Sequence, residues 1–293
     1  MEQAIEQENF DATFELIYNE FYPPIDAILQ KMKNCTSKFP NEELRLQKLK
    51  RISQLPCTYA LIDELDIDVI RKVDNVDFPF ETRITNKDFF RCIHITYFAP
   101  FLLYARFGYE LAANIKTTPE NIFNASYQIM VPLKFPKRKS HEWYIQHIYP
   151  LTLCETETND VISHINIYEL EKECLVLENN AIDNRFVEAT LMQDNKIHMD
   201  FQDYLKTNMS SYIEKAFKTQ DNKWQMIQLL IDNPKLSNTE LGEKLFLGIE
   251  TINSYNYDIK KEIKRLLGYD FRTLKEAVSA LKTRGYLKKT EVG

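Results

Sequence analysis

The stretch 237–252 near the C-terminus constrains the fold of this chain more than any other part of it. Ser237 can cap a helix, and Glu240, three residues later, can return the hydrogen bond. Gly248 then interrupts the helical pattern. Apolar residues recur at one-turn spacing on both sides of this break: Leu241 and Leu245 before it, and Ile252, Tyr255, Ile259, Ile263 and Leu266 after it. This spacing predicts two helices joined by a tight turn, which is helix-turn-helix geometry.

A winged helix is the nearest alternative for this region. The apolar run 227–230 before Asn233-Pro234 would suit it as well. A wing, however, needs two alternating strands after the second helix. The residues after Leu267 have helical periodicity instead, at Phe271, Leu274, Ala277, Val278 and Leu281. The sequence therefore predicts a closing helix and no wing.

The run Ser-Asn-x-Glu-Leu-x-x-x-Leu-Phe-Leu-x-x-x-Thr-Ile over 237–252 resembles the DNA-binding domain of LuxR-type transcription regulators. The likeness extends over about residues 223–287 and ends in Gly285-Tyr286-Leu287. The chain departs from the family pattern at several positions: Gly242 stands where Ala is usual, Gly248 where a capping Ser is usual and Tyr255 where His is common, while Asn253 and Glu262 replace residues that are often Lys.

The resemblance implies that the second helix enters the major groove of double-stranded DNA. The DNA-binding residues that it implies are Asn253, Ser254 and Tyr257 at base edges, with Thr251, Lys260 and Lys261 nearer to phosphates. The substitutions at Asn253 and Glu262 make this helix less basic than the family pattern. They leave open a second hypothesis, a protein-interaction adaptor that has kept the helix-turn-helix fold but no longer binds DNA.

The distribution of charge also separates the two parts of the chain. From Lys223 onward there are 13 Lys and Arg against 9 Asp and Glu, whereas the first 222 residues hold 24 against 34. The C-terminal cations form two groups, Lys260, Lys261, Lys264 and Arg265, and Lys282, Arg284, Lys288 and Lys289. Such groups favour nucleic-acid binding because cations displace counterions from phosphates. A solvated helix face explains the second group equally well.

The middle of the chain has the pattern of an α+β domain. Residues 57–62 and 66–71 are predicted to form two short strands or a strand and a turn, and helix is not excluded for either. Residues 88–115 are rich in helix signals. Three further strand candidates follow at 124–135, 142–151 and 161–168, separated by short polar turns. Two strands, helices and then a three-stranded antiparallel meander resemble the order of a PAS-type sensor domain over about residues 56–172.

The PAS-like resemblance implies a domain that encloses a small-molecule ligand or pairs with another copy, and we therefore expect a homodimer. The aromatic residues Phe89, Phe90, Tyr97, Phe98, Phe101, Tyr104 and Phe107 would line a ligand pocket or form ordinary core. Cys92 and His94 lie close together, but one Cys and one His without further spaced partners do not make a metal or haem site. The sequence does not identify ligand-binding residues.

These patterns divide the chain into four parts: a helical N-terminal segment over 1–55, a PAS-like domain over 56–175, a helical connector over 176–222 and a LuxR-type helix-turn-helix domain over 223–293. The expected fold class is thus an α+β domain with an antiparallel sheet, followed by an all-α domain. The connector is predicted from the helical spacing of Phe201, Tyr204, Leu205, Met209, Tyr212, Ile213 and Phe217.

Several other classes of protein are disfavoured. A phosphate-receiver domain would need repeated strand-helix units, and these do not follow Ile62-Asp63-Glu64. Phosphate loops, Ser elbows and His-Glu zinc motifs do not occur, so we expect no enzyme activity, catalytic residue, metal or cofactor. The five cysteines are odd in number and form no Cys-x-x-Cys pair. No apolar run approaches a membrane span and no signal peptide is evident, so we expect a cytoplasmic protein.

Overall fold

The computed structural model describes residues 2–32, 37–40, 43, 47, 50, 58–64, 68–73, 77–114, 125–155, 161–172, 187–193, 196–197, 199–218 and 221–287. The chain forms two compact units, Met1–His198 and Met199–Gly293. The first contains helices and one antiparallel sheet, and the described part of the second contains helices alone. This is the fold class that the sequence predicts.

The N-terminal unit contains four described helices and eight strands. The helices are α1 (Glu2–Phe21), α2 (Pro23–Met32), α3 (Asn86–Phe90) and α4 (Ile95–Asn114). The strands are β1 (Ser37–Pro40), β2 (Thr58–Glu64), β3 (Val69–Lys72), β4 (Ala125–Leu133), β5 (Glu142–Glu155), β6 (Val161–Lys172), β7 (Glu188–Gln193) and β8 (Lys196–Ile197). Two short strands, helices and a three-stranded meander follow one another as predicted.

All the described strands belong to one sheet. Its order is β3-β2-β6-β5-β4-β7-β8, with β1 paired to one end of β5, and every pairing is antiparallel. The meander β4-β5-β6 lies next to β2, so the first predicted strand pairs with the last strand of the meander. Leu61, Tyr168, Ile148 and Tyr127 occupy successive strands in register and therefore share one face.

Helix α4 packs against this face at close range. The Tyr127 hydroxyl donates to the carbonyl of Tyr104 at 2.7 Å. A Cβ atom at Gly108 would lie only 3.2 Å from the Tyr127 ring, so glycine permits the approach of helix to sheet. The aromatic side chains of this region form core: Phe89, Tyr97, Phe98, Phe101, Tyr104 and Phe107 are buried, and Phe90 is half-buried.

The N-terminal helices also pack against α4, within the same unit. The Phe14 ring stacks on Phe98 with centroids 4.7 Å apart. The Glu15 carboxylate accepts from Nζ of Lys87 at 2.9 Å, and an Arg91 guanidinium nitrogen lies 3.1 Å from the same carboxylate. The helices predicted near the start of the chain are thus present, and apolar stacking and ion pairs hold α1 against α3 and α4.

Three features of the structure differ from the sequence prediction. Within the segment 1–55, Ser37–Pro40 form a strand that pairs with β5. Within 176–222, where a helical connector is predicted, residues 188–193 instead pair with β4 as β7, and Met199–Lys218 are helical; residues 176–186 lie outside the described residues. The helix from Met199 belongs to the C-terminal unit, so the compact unit begins there and not at residue 223. Strands β1 and β7 form because they pair with β5 and β4, which lie far away in the sequence. Local periodicity does not reveal such long-range pairing.

The C-terminal unit consists of five described helices: α5 (Met199–Lys218), α6 (Asp221–Asp232), α7 (Asn238–Leu245), α8 (Ile249–Leu267) and α9 (Leu274–Thr283). Its core contains apolar residues from each of them, including Leu205, Ile227, Leu241, Ile259 and Val278. The predicted closing helix is present as α9, and residues 268–287 contain no strand. In the parts of the chain that the structure describes, no helix is both long enough and apolar enough to cross a membrane.

Candidate functional site

Helix α7 begins with the capping box predicted from the sequence. The Ser237 hydroxyl accepts from the backbone N–H of Glu240 at 3.2 Å, and the Glu240 carboxylate accepts from the backbone N–H of Ser237 at 2.7 Å. The backbone N–H and hydroxyl of Ser237 hold the pKa of Glu240 below its usual value. The first turn of α7 is therefore fixed by two reciprocal hydrogen bonds.

The turn between α7 and α8 is unusually tight. Phe246 ends α7 in the left-handed region at φ 55°, and the backbone N–H of Leu247 donates to the Gly242 carbonyl at 2.9 Å. A Cβ atom at Gly242 would lie 2.7 Å from the Leu247 carbonyl oxygen. This contact explains the departure from the family pattern, because alanine at position 242 would clash with the turn as it is built here.

Helix α8 begins after Gly248, which caps it without a side-chain hydrogen bond. Its apolar stripe, Ile252, Ile259, Ile263, Leu266 and Leu267, is buried. The opposite face is exposed and contains Ile249, Glu250, Asn253, Ser254, Tyr257 and Lys261. Helix α8 thus combines one face fixed in the core with a continuous solvent-facing stripe at four-residue spacing.

The predicted DNA-contact residues are distributed unevenly about this helix. Asn253, Ser254, Tyr257 and Lys261 lie on the exposed face, and 64% of Tyr257 is accessible. Thr251 and Lys260 are half-buried. Lys260 already donates from Nζ to the Arg272 carbonyl at 3.2 Å. The structure therefore brings four of the six residues together on one surface and ties a fifth to the backbone before α9.

Other cations of the C-terminal unit also have partners within it. Lys264 pairs with Asp270 and Arg265 with Glu262, at 2.7 and 2.6 Å. Lys282 donates to the Ile231 carbonyl at 3.1 Å, near the end of α6. Lys288 and Lys289 lie outside the described residues. The groups of basic residues seen in the sequence are thus partly engaged in local contacts.

A contact from α6 fixes the middle of α8. Nζ of Lys223 lies 2.7 Å from a carboxylate oxygen of Asp258 and 5.4 Å from the centroid of the Tyr255 ring. The Lys223 side chain is only 16% exposed. Tyr255, which stands where the family commonly has His, therefore contributes to packing between α6 and α8.

Sequence reasoning missed three residues of this surface. Phe246 is 95% exposed and Ile249 is 48% exposed, although both are large and apolar. Asn238 donates from Nδ2 to Oδ1 of Asn253 at 2.9 Å, across the turn. The four-residue spacing of Ile249, Asn253 and Tyr257 could have revealed the first part of this arrangement, whereas the Asn238 contact depends on the crossing of two helices.

The N-terminal unit contains a buried polar cluster on the sheet face that α4 covers. Asp63 is fully buried, accepts from Nδ2 of Asn86 at 3.1 Å and accepts from the Tyr168 hydroxyl. The hydroxyls of Tyr168 and Tyr109 also hydrogen bond each other. Burial raises the pKa of Asp63 to about 7, and the hydrogen bonds from Tyr168 and Asn86 oppose this rise.

Gln146 is another buried polar residue on the same sheet face, because it pairs in register with Leu170, two positions from Tyr168. Gln146 is 1% exposed, and its Oε1 has no hydrogen-bond partner within the described residues. Cys92 is also buried, and the described residues contain no group of three or more side chains suited to a metal ion.

Comparison with known proteins adds little about function. No family model matches the chain, and no curated protein matches it. One solved structure, described as the crystal structure of the phage VqmA-DPO complex, is matched over 86% of this chain and 93% of that chain, with 9% sequence identity and a TM-score of 0.22. A TM-score this low leaves the function to be inferred from the residues themselves.

Proposed function

We propose that this protein is a DNA-binding transcription regulator of the LuxR type, in which the N-terminal unit binds a small molecule or a partner that changes DNA affinity. The observation that carries the proposal is the exposed stripe of α8, which follows a capped helix and a tight turn. In helix-turn-helix proteins the second helix lies in the major groove and its N-terminal residues contact base edges.

The exposed residues of α8 have the chemistry that base reading requires. Asn253 and Ser254 offer amide and hydroxyl groups on the first two turns of the helix, where contact with bases is expected. Ile249 is apolar and suits the methyl group of thymine. Lys261 lies further along the same face, in a position to approach a phosphate.

The adaptor hypothesis keeps its own support. Glu250 places an acidic side chain on the exposed face of α8, where it would meet DNA. Phe246, Ile249 and Tyr257 together expose apolar area at the turn and along the helix. Clustered exposed apolar residues often mark a site where another protein binds. DNA binding explains the polar residues of the exposed stripe better than the adaptor hypothesis does. The two hypotheses explain the exposed apolar residues equally well.

A mobility-shift titration of the full chain tests the two hypotheses. A regulator should bind duplex DNA with a log affinity that falls by about 0.9 per phosphate contact for each log unit of salt. Asn253→Ala should weaken the preferred site by about 1 to 3 kcal/mol and leave random duplex almost unchanged. Lys260→Ala should weaken all sequences alike and reduce the salt slope by about one contact.

Asn256→Ala provides a matched control for Asn253→Ala, because it removes the same side chain from the same helix at a position off the exposed stripe. It should leave base preference intact. Failure of the unmodified chain to bind any duplex at low salt would favour the adaptor. Equal losses on specific and random DNA for Asn253→Ala, with circular dichroism unchanged, would show that Asn253 does not read bases.

We further propose that the N-terminal unit binds a small molecule or a partner and catalyses no reaction. Gln146 supports a ligand with hydrogen-bond donors, because its buried acceptor has no partner among the described residues and an unpaired buried acceptor destabilises the free protein. A thermal-shift screen of the full chain tests this, since a ligand at about 100 times its dissociation constant adds roughly 2.7 kcal/mol to stability. A homodimer is expected as well, and sedimentation with and without DNA would measure it.

A further inference from the structure

We propose that Asn238, which lies outside the recognition helix, determines base specificity by fixing the side-chain amide of Asn253. In this arrangement Asn253 presents an N–H donor to the DNA and prefers a keto base, guanine above all, at the position that it contacts. The proposal rests on DNA binding by α8 and adds a specificity-determining residue to it.

The geometry joins the two helices of the motif through a single hydrogen bond. Asn238 is the first residue of α7, and its Nδ2 donates to Oδ1 of Asn253 at 2.9 Å. Asn238 is half-buried and Asn253 is exposed. The bond therefore favours one orientation of a solvent-facing amide, the one in which Oδ1 of Asn253 points toward Asn238.

This orientation decides which part of the amide remains available. An asparagine amide has one acceptor oxygen and a donor nitrogen with two hydrogens. Oδ1 of Asn253 is engaged by Asn238, while Nδ2 of Asn253 makes no hydrogen bond within the described part of the chain. The group left for a ligand is therefore the donor.

A donor discriminates among the base edges of the major groove. Guanine presents two acceptors there, N7 and O6, and thymine presents O4. Cytosine presents an amino donor, and adenine presents an amino donor beside a single acceptor. An asparagine free to turn can pair with adenine through both of its groups, whereas an asparagine whose oxygen is held elsewhere fits guanine best.

The hydrogen bond between Asn238 and Asn253 is not needed to cap α7 or to stabilise the fold. The cap of α7 is supplied by Ser237, not by Asn238. A hydrogen bond between two partly solvated amides contributes little net stability, because water replaces it when it breaks. Substitutions at Asn238 should therefore leave the fold intact and change what Asn253 can bind.

Selection from a randomised duplex library, using the full chain, tests this proposal. The unmodified chain should select a keto base at one position. In Asn238→Asp the new carboxylate can only accept, so Asn253 should turn its Nδ2 inward and its Oδ1 outward. The selected base at that position should then change to an amino base, cytosine or adenine. Aspartate suits the first turn of a helix, so the variant should fold.

Two further variants keep the test decisive. Thr239→Asp adds the same charge at the next residue, which is exposed, and should lower affinity for all duplexes without changing the selected base. Asn238→Ala removes the hydrogen bond without adding charge. The unmodified chain should prefer the keto base by a factor of about three to ten, and Asn238→Ala should prefer it by less than about twofold. The affinity of Asn238→Ala for random duplex should be unchanged.

The outcomes separate this proposal from DNA binding itself. No binding of any duplex by the unmodified chain, even at about 50 mM salt, would overturn the proposed function. Binding with the same selected base in the unmodified chain, Asn238→Asp and Asn238→Ala would overturn the role of Asn238 alone. If Asn238→Asp binds no DNA, the Asn238→Ala preference decides: a relaxed preference supports the proposal and an unchanged one overturns it.

Discussion

Replacing Asp63 with asparagine should change how the stability of the N-terminal unit depends on pH. Burial raises the pKa of Asp63 from 3.8 to about 7 in the folded state. Between these values the folded state holds a proton that the unfolded chain has lost, so stability decreases as pH rises through this window. A difference of about 3 pKa units corresponds to about 4 kcal/mol. Asp63→Asn cannot ionise and should lack this decrease.

His141 also titrates in this pH range, so the effect of Asp63 must be measured as a difference in stability between two proteins. Burial, with smaller contributions from the neighbouring His94 and Lys134, lowers the pKa of His141 to about 4. A histidine held neutral in the fold gives stability that increases as pH rises from about 4 to about 6.5. The two effects overlap and oppose each other in the unmodified protein. The informative quantity is therefore the difference in unfolding free energy between Asp63→Asn and the unmodified chain at each pH.

Urea unfolding monitored by tryptophan fluorescence can measure this difference. The chain has two tryptophans, Trp143 in β5 and Trp224 in α6, so a Trp224→Phe background leaves a probe in the N-terminal unit alone. Relative to the unmodified chain, Asp63→Asn should gain up to about 4 kcal/mol between pH 4 and pH 8.

A difference between Asp63→Asn and the unmodified chain that stays constant from pH 4 to pH 8 would refute this reasoning. It would mean that Asp63 titrates at its ordinary pKa and therefore remains hydrated. A decrease in the relative stability of Asp63→Asn as pH rises would have the wrong sign for a desolvated carboxylate. Either result would contradict the burial of the Asp63 carboxylate beside the Tyr168 hydroxyl.

Two glycines of the helix-turn-helix should respond to substitution in opposite directions. Gly248 has extended backbone angles, φ −67° and ψ 154°, and open space around a Cβ, so Gly248→Ser should cap α8 and stabilise it by a few tenths of a kcal/mol in thermal unfolding. Gly242→Ala should destabilise by about 1 to 3 kcal/mol, because its Cβ would lie 2.7 Å from the Leu247 carbonyl oxygen. Trp224 fluorescence measures both, and a stable Gly242→Ala protein would contradict the tight turn.

The sequence was sufficient where structure depends on neighbours along the chain. The capping box of Ser237 and Glu240 spans three residues, and the apolar stripe of α8 repeats every three or four. Both therefore appear in the sequence itself. The meander β4-β5-β6 was predictable for a similar reason, since short polar turns join strands that pair with their sequence neighbours.

Local patterns failed where the partner lies far along the chain. Asp63 receives hydrogen bonds from Asn86, 23 residues away, and from Tyr168, 105 residues away. Strand β7 pairs with β4, more than fifty positions earlier. The contact between Asn238 and Asn253 spans 15 residues and two helices. In each case tertiary packing determines the environment of the side chain, and no periodicity reports it.

The internal contacts of the basic residues change what the proposed DNA interface is expected to do. Lys260 and Lys264 already donate to Arg272 and Asp270, and these contacts must break or be shared before either cation reaches a phosphate. Exposed ion pairs are weak, about 0 to 1 kcal/mol, so phosphates can compete for them. The gain per phosphate contact is nevertheless smaller than for an unpaired lysine. Non-specific affinity should therefore be modest, and discrimination should depend chiefly on Asn253 and its neighbours on the exposed face of α8.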